Sequence, residues 1–233
     1  QVEPASQVKS SQVKPLVALL LPGLVRNYAH GVHMRRLAGT LGTICELHVF
    51  ICVWALKGSP ANHFAQSADK AAAAPVEMAS LVKAYPTASA IELVGMDQWV
   101  DMDGEGNDGR YINQWAMVRR CWDLMERSMP TPAQYVIRAR PDLRVACLPL
   151  CLHDLRRPSY LAIQERLWGS DCFFYGDHES MRAVCEGLAP RYDEYTQRLG
   201  HASSEPMLHE HIKESGLDSL LVRFARCCSV DRS

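Results

Sequence analysis

The chain has 233 residues, 48% of them hydrophobic and 22% charged, with a formal net charge of -1. With 25 Lys and Arg against 26 Asp and Glu there is no basic excess, so nothing argues for nucleic acid as the main partner and none is expected. No apolar run approaches the ~20 residues of a membrane helix, and the length and composition suit one large globular domain.

Residues 1–15 are polar, rich in Ser and Gln, and repeat Ser-Gln-Val-Lys at 6–9 and 11–14. They cannot bury enough apolar surface to order themselves and read as a linker or stalk, leaving 16–233 as a single domain. No signal peptide is visible and the chain begins with Gln1, which is compatible with the removal of an N-terminal anchor. Residues 16–21 form a short buried strand ended by Pro22-Gly23, which places Arg26 and Asn27 just past the strand end. Ligands of open α/β sheets sit there, although a plain turn with a solvated arginine accounts for the same residues. A helix over 33–41 leads to a second buried strand, 47–54. After the Ala-, Ser- and Asn-rich residues 59–75 come a helix over 76–84 and a third strand, 90–94.

Residues 97–109 form an acidic, glycine-rich loop in which Asp101 and Asp103 match the D-x-D spacing of metal-dependent sugar transferases. The same residues suit a solvated turn, since Asp and Gly are what turns are made of. The helix that follows is the best in the chain. Tyr111, Trp115, Val118, Trp122 and Met125 recur at steps of four and three, giving one broad apolar face. Asp108 can cap its start, and Pro130 and Pro132 prevent it from continuing.

That helix feeds the stretch Tyr135-Val-Ile-Arg138-Ala-Arg140-Pro141-Asp142. Alternation along a strand would point Arg138, Arg140 and Asp142 the same way, ~7 Å apart, and Pro141 should end the strand. Three charges at the mouth of a core strand form either an internal ion network or a site for a charged ligand.

Beyond it, 145–151 is apolar and broken by Pro149, 160–163 is a strand, and 168–171 turn into a strand over 172–175 that ends at Gly176. Asp177 can cap a helix whose Met181, Val184, Cys185 and Leu188 share a face. Residues 190–203 read as a polar link, 205–215 as a helix with Pro206 in its first turn and Gly216 at its stop, 220–224 as a strand, and the rest as a tail. The nine cysteines are scattered through apolar segments and read mostly as buried thiols, with neither a catalytic cysteine nor structural zinc expected. Phosphate-binding and nucleophile-elbow signatures are absent. The order of elements predicts a doubly wound α/β sheet, mostly parallel, with flanking helices.

Five stretches in order resemble one family. They are Val17-Ala-Leu-Leu-Leu-Pro-Gly23-Leu-Val-Arg26-Asn27, Val49-Phe-Ile-Cys-Val-Trp54 with Gly58, Asn113-Gln-Trp115, Tyr135-Val-Ile-Arg-Ala-Arg-Pro-Asp-Leu143, and Ser170-Asp-Cys-Phe-Phe-Tyr-Gly176. The chain resembles GT-A-type glycosyltransferases related to the WavE-like lipopolysaccharide and capsule sugar transferases, with their viral and algal relatives. His48 stands where that family usually has an aspartate.

The resemblance implies a GT-A-like (Rossmann-like) sheet, a nucleotide-sugar donor, a glycan or glycoconjugate acceptor and often a divalent metal, Mn²⁺ or Mg²⁺. It divides the domain into a donor-binding half, 16–145, and an acceptor half, 146–225. The donor would lie against Pro22, Gly23, Arg26, Asn27, Arg138 and Arg140. The family's D-x-D falls on Arg140-Pro141-Asp142, so Arg140 replaces the first aspartate. Either Asp142 holds the metal, with waters and a carboxylate from elsewhere, or Arg138 and Arg140 take over part of the diphosphate charge. Asp171 or Glu205 would take the proton of the acceptor hydroxyl. The setting stays open between the Golgi lumen and the cytoplasm. Two other functions remain: a non-catalytic carbohydrate-binding or scaffold domain, and a phosphate-ester hydrolase using Asp101 and Asp103.

Overall fold

The structure, a computed structural model, describes residues 13–25, 31–57, 74–100, 109–145, 155, 159–164, 171–200, 203–224 and 228–230. Nine strands lie among the described residues: β1 (Leu16–Gly23), β2 (Glu46–Trp54), β3 (Ala90–Val94), β4 (Tyr135–Ala139), β5 (Leu143–Val145), β6 (Leu161–Gln164), β7 (Phe173–Asp177), β8 (Leu221–Phe224) and β9 (Cys228–Val230). The helices are α1 (Gly31–Ile44), α2 (Met78–Ala84), α3 (Gly109–Ser128), α4 (His178–Gly187), α5 (Tyr192–Leu199) and α6 (Ser204–Glu214).

Seven strands form one sheet in the order β3-β2-β1-β4-β7-β6-β8, and β5 and β9 make a separate antiparallel pair. β1 pairs in parallel with β2 and β4, β2 with β3, and β6 with β8, whereas β7 runs antiparallel to both β4 and β6. The sheet is therefore mixed and mostly parallel, as the alternation of elements predicts.

Each face carries its own core, and β1 shows why. Val17, Leu19 and Leu21 join the cluster with Met34, Leu37 and Leu41 of α1 and Leu81 of α2. Ala18 and Leu20 point the other way, into the cluster with Trp115, Val118, Trp122 and Met125 of α3. A run without alternation is what a strand covered on both sides requires. The α3 stripe is buried as its spacing predicts, while Tyr111 is half-buried and packs on a smaller cluster of Tyr192, Tyr195 and Met207.

Several boundaries differ from the sequence reading. β1 runs on through Pro22 and Gly23, which pair with Cys52 and Val53 of β2. The ladder with β4 has already ended at Leu20, so Pro22 displaces no donor on that side. Gly23 has φ +138°, a conformation that favours glycine. β7 likewise runs past Gly176 to Asp177. At Gly176 a Cβ would meet the Tyr160 carbonyl at 2.5 Å, so glycine serves close strand approach there and not a stop. Asp177 does cap α4, accepting from the Ser180 N–H at 3.1 Å.

The polar link expected over 190–203 holds a 3-10 turn and α5, whose Tyr192 and Tyr195 are buried. The expected tail contains β9, which pairs with β5. The expected linker lies outside the described residues except for its last three positions.

Candidate functional site

β1 leads through α1 to β2 on one side, while its other neighbour is β4. The strand order reverses between β1 and β4, and the carboxyl ends of strands at such a switch point are where open sheets bind ligands. A cleft lies there, lined by Pro22, Gly23, Leu24, Trp54, Trp99, Asn113, Gln114, Arg138 and Arg140.

The sequence places Arg138 on β4 with its side chain on the α3 side, because Ile137 and Ala139 point to the α1 side. Arg138 is 0% exposed. Its guanidinium stacks over Phe174 at 5.5 Å, and none of its three nitrogens has a hydrogen-bond partner among the described residues. Burial lowers its pKa from the ordinary value, and the charge of Asp171 opposes that fall. An unsatisfied buried donor costs about 1–3 kcal/mol, and more when charged. Arg138 also lines the cleft, and charge-assisted bonds to an anion are what would satisfy such donors.

Arg140 follows the strand. Its Nε and Nη2 donate to Asp142 Oδ1 and Oδ2 at 3.0 and 2.9 Å, a two-point fork. The backbone is pinned on both sides: Arg140 N–H donates to the Cys172 carbonyl and Leu143 N–H to the Arg140 carbonyl. Burial would lower the Arg140 pKa, but the Asp142 carboxylate more than offsets it, and the net shift is upward.

Asp171, 3% exposed, accepts from Gln114 Nε2 at 2.6 Å, and the same Gln114 nitrogen donates to Ser204 Oγ at 2.9 Å. Burial pushes the Asp171 pKa up, yet the Arg138 charge and the Gln114 hydrogen bond outweigh it, holding the carboxylate ionised below its usual range. The adjacent Cys172 thiol is pushed up to about 12 by burial and by Asp171, which keeps it protonated and inert at neutral pH. Cys45, Cys52, Cys121 and Cys185 are also buried, and burial raises each thiol pKa.

One wall of the cleft is aromatic. Trp54, the last residue of β2, meets Trp99 edge to face with ring centroids 5.0 Å apart. Asn113 holds the Trp99 segment against α3: its Oδ1 accepts from the Val100 N–H at 2.9 Å and its Nδ2 donates to the Val100 carbonyl at 2.8 Å.

Of the residues singled out from sequence, Pro22, Gly23, Arg138 and Arg140 come together in the cleft. Asp142 connects through Arg140 and Asp171 through Gln114. Glu205 opens α6 beside Ser204 and is half-buried, outside the cleft lining. Arg26, Asn27, Asp101, Asp103 and the expected cap Asp108 lie outside the described residues. The sequence reading assigned no site role to Trp54, Trp99, Asn113 or Gln114. A tryptophan closing a buried strand, and two amides ahead of an apolar helical stripe, were the available signals.

The described residues do not fit a divalent ion at Asp142. Both carboxylate oxygens already accept from Arg140, the other charges facing the cleft are cations, and Mg²⁺-type ions need several oxygen ligands. No group of three His, Cys, Asp or Glu suited to a metal is present among the described residues.

No protein-family model matches the chain, and no curated protein matches it in sequence. Among solved structures, the galactosyltransferase LgtC in complex with donor and acceptor sugar analogs is similar at a TM-score of 0.44 and 7% identity, covering 89% of this chain and 72% of that one. An active-site mutant of LgtC gives a TM-score of 0.43 and 7% identity, with 89% and 71% covered. Likeness at this level assigns neither a family nor an activity.

Proposed function

We propose that the chain is a glycosyltransferase that moves a sugar from a nucleotide-sugar donor to a hydroxyl of a glycan or glycoconjugate acceptor. The observation that carries this reading is Arg138: a fully buried guanidinium whose three nitrogens have no hydrogen-bond partner among the described residues, in a residue lining a cleft at the switch point of the sheet. A diphosphate supplies what it lacks, namely several acceptor oxygens carrying negative charge. The Trp54 and Trp99 wall suits the flat face of a base or the apolar face of a sugar. The order of the sequence blocks that resemble WavE-like transferases, with Arg138, Arg140 and Asp142 among them, supports sugar transfer over other uses of a nucleotide.

In this reaction the bond between the anomeric carbon and the diphosphate oxygen breaks, and its electron pair stays on that oxygen. The acceptor oxygen bonds to the anomeric carbon and releases its proton. Donors aimed at the leaving oxygens stabilise the charge as it develops. Asp171 suits the counter-ion of Arg138 better than a base, since it is buried and engaged by Gln114. Glu205, half-buried in the first turn of α6, is then the remaining candidate for proton acceptor.

Thermal-shift screening of the full chain against UDP-, GDP- and TDP-sugars tests the reading, since a ligand bound only by the native state stabilises it by mass action. At least one donor should raise Tm, and that donor should release its nucleoside diphosphate on turnover. Stabilisation by free sugars alone would instead favour a non-catalytic carbohydrate-binding domain.

A further inference from the structure

We propose that the leaving diphosphate is neutralised by the guanidiniums of Arg138 and Arg140, with Asp142 acting as the brace of Arg140 and no divalent ion held at Asp142. This inference rests on the nucleotide-sugar reading above and specifies how that site handles charge.

Asp142 is 1% exposed, and its two oxygens receive the Arg140 fork at 3.0 and 2.9 Å. The fork spans only Pro141, and the Arg140 backbone is tied to Cys172 and Leu143. A divalent ion at Asp142 would have to share oxygens already held by two charge-assisted bonds and enter beside two guanidiniums. Arg138 and Arg140 stand against Asp142 and Asp171, so the cluster holds two positive and two negative charges. What the cluster lacks is acceptors. Among the described residues Arg138 Nε, Nη1 and Nη2 have no hydrogen-bond partner, and Arg140 Nη1, outside the fork, has only a 4.0 Å contact with Cys172 Sγ. Planar forks match phosphate oxygens two at a time. A diphosphate therefore completes both guanidiniums, whereas a metal ion completes neither.

During transfer, the electron pair of the broken carbon–oxygen bond stays on the diphosphate, where these N–H groups take up the added charge. The acceptor oxygen forms the new bond, and its proton passes to a carboxylate or to water. A Lewis acid at Asp142 would have only the lone pairs that the Arg140 fork leaves, beside two guanidiniums.

Isothermal titration calorimetry of the full chain with UDP, GDP, CDP, ADP and dTDP, first in EDTA and then with Mn²⁺ or Mg²⁺, tests this. At least one nucleotide should bind in EDTA, with an affinity within about threefold of that with metal. Arg140→Met should weaken binding by roughly tenfold in either buffer, the loss expected for a charge-assisted contact. Asp142→Asn should weaken binding equally in both buffers, because it loosens the brace. Binding that requires metal, with Asp142→Asn abolishing only the metal-dependent part, would overturn this inference and leave the nucleotide-sugar reading standing. No nucleotide binding in any buffer would overturn both.

Discussion

Beside α5 and α6, Arg191 donates to Glu194 at 2.8 Å and to Glu214 at 2.5 Å, and Arg198 reaches Glu194, Glu210 and Glu214. Both guanidiniums also lie over the Tyr195 ring, at 4.7 and 5.1 Å. At the end of β4 the same residue types behave differently: Arg140 is forked on Asp142, while Arg138 is buried with no nitrogen hydrogen-bonded among the described residues. The first cluster is partly exposed and internally complete, so it needs nothing from outside. The second is enclosed and incomplete, although incompleteness is expensive in a low-dielectric interior. What separates a structural ion network from a binding site is thus the state of its donors, not the number of its charges.

The largest expected effect comes from breaking the buried cluster. Arg138→Met alone removes the cation that most offsets the Asp171 charge, leaving Arg140 and the Gln114 hydrogen bond to hold that carboxylate, and should cost about 1–3 kcal/mol. Combining Arg138→Met with Asp171→Asn removes both charges and should recover that loss, or exceed the parent by about 1–4 kcal/mol. Nucleotide affinity should remain at least roughly tenfold weaker in both variants. Urea unfolding read alongside calorimetry checks this. A double variant that regains stability and keeps full nucleotide affinity would make the buried cluster structural, like the one beside α5.

A medium effect should come from His211, which is 3% exposed beneath the surface network. The Ala183 carbonyl can only accept, so Nε2 carries the proton at 2.9 Å and Nδ1 accepts from the Tyr195 hydroxyl at 2.8 Å. Burial lowers its pKa from 6.5, so the folded state resists protonation. Its contribution is fully present above 6.5, where the unfolded chain is also neutral, and is lost as pH falls through the depressed folded value. Unfolding free energy should decline between about pH 7.5 and pH 5.5, and His211→Gln should flatten that decline.

The smallest effect belongs to the surface network itself. Hydrogen bonding to Arg198 and Arg191 holds Glu214 down to about 2, against an ordinary 4.5. Its contribution is present above 4.5 and lost as pH falls toward 2. Glu214→Gln should lower Tm slightly at neutral pH, less so in high salt, and the difference from the parent should vanish across that acid window. Nucleotide affinity should not change.

The parallel half of the sheet was legible because its strands are short apolar runs bounded by turn residues. The strand expected over 90–94 is β3 without change, and β2 begins one residue earlier than expected. β4 was legible as a carrier of charges because Arg138 interrupts an apolar run. That Arg138 is unpartnered while Arg140 is forked was not, since strand alternation gives both the same direction and only the turn at Pro141 separates them. α5 was hidden by its charged residues, although Tyr192, Tyr195 and Leu199 carry helical spacing. β9 was invisible because a three-residue strand is defined by its partner, and β5 lies more than eighty residues away in sequence. Gln114 and the Trp54–Trp99 wall belong to the same class: their roles come from contacts between distant segments.

The most direct test of the account is a crystal structure of the chain with a nucleoside diphosphate bound. The account predicts phosphate oxygens about 2.7–2.9 Å from Arg138 nitrogens, in the cleft beside Pro22 and Gly23, with the Arg140–Asp142 fork intact. A nucleotide seated elsewhere, or an Arg138 guanidinium still without a phosphate partner in the bound state, would contradict it.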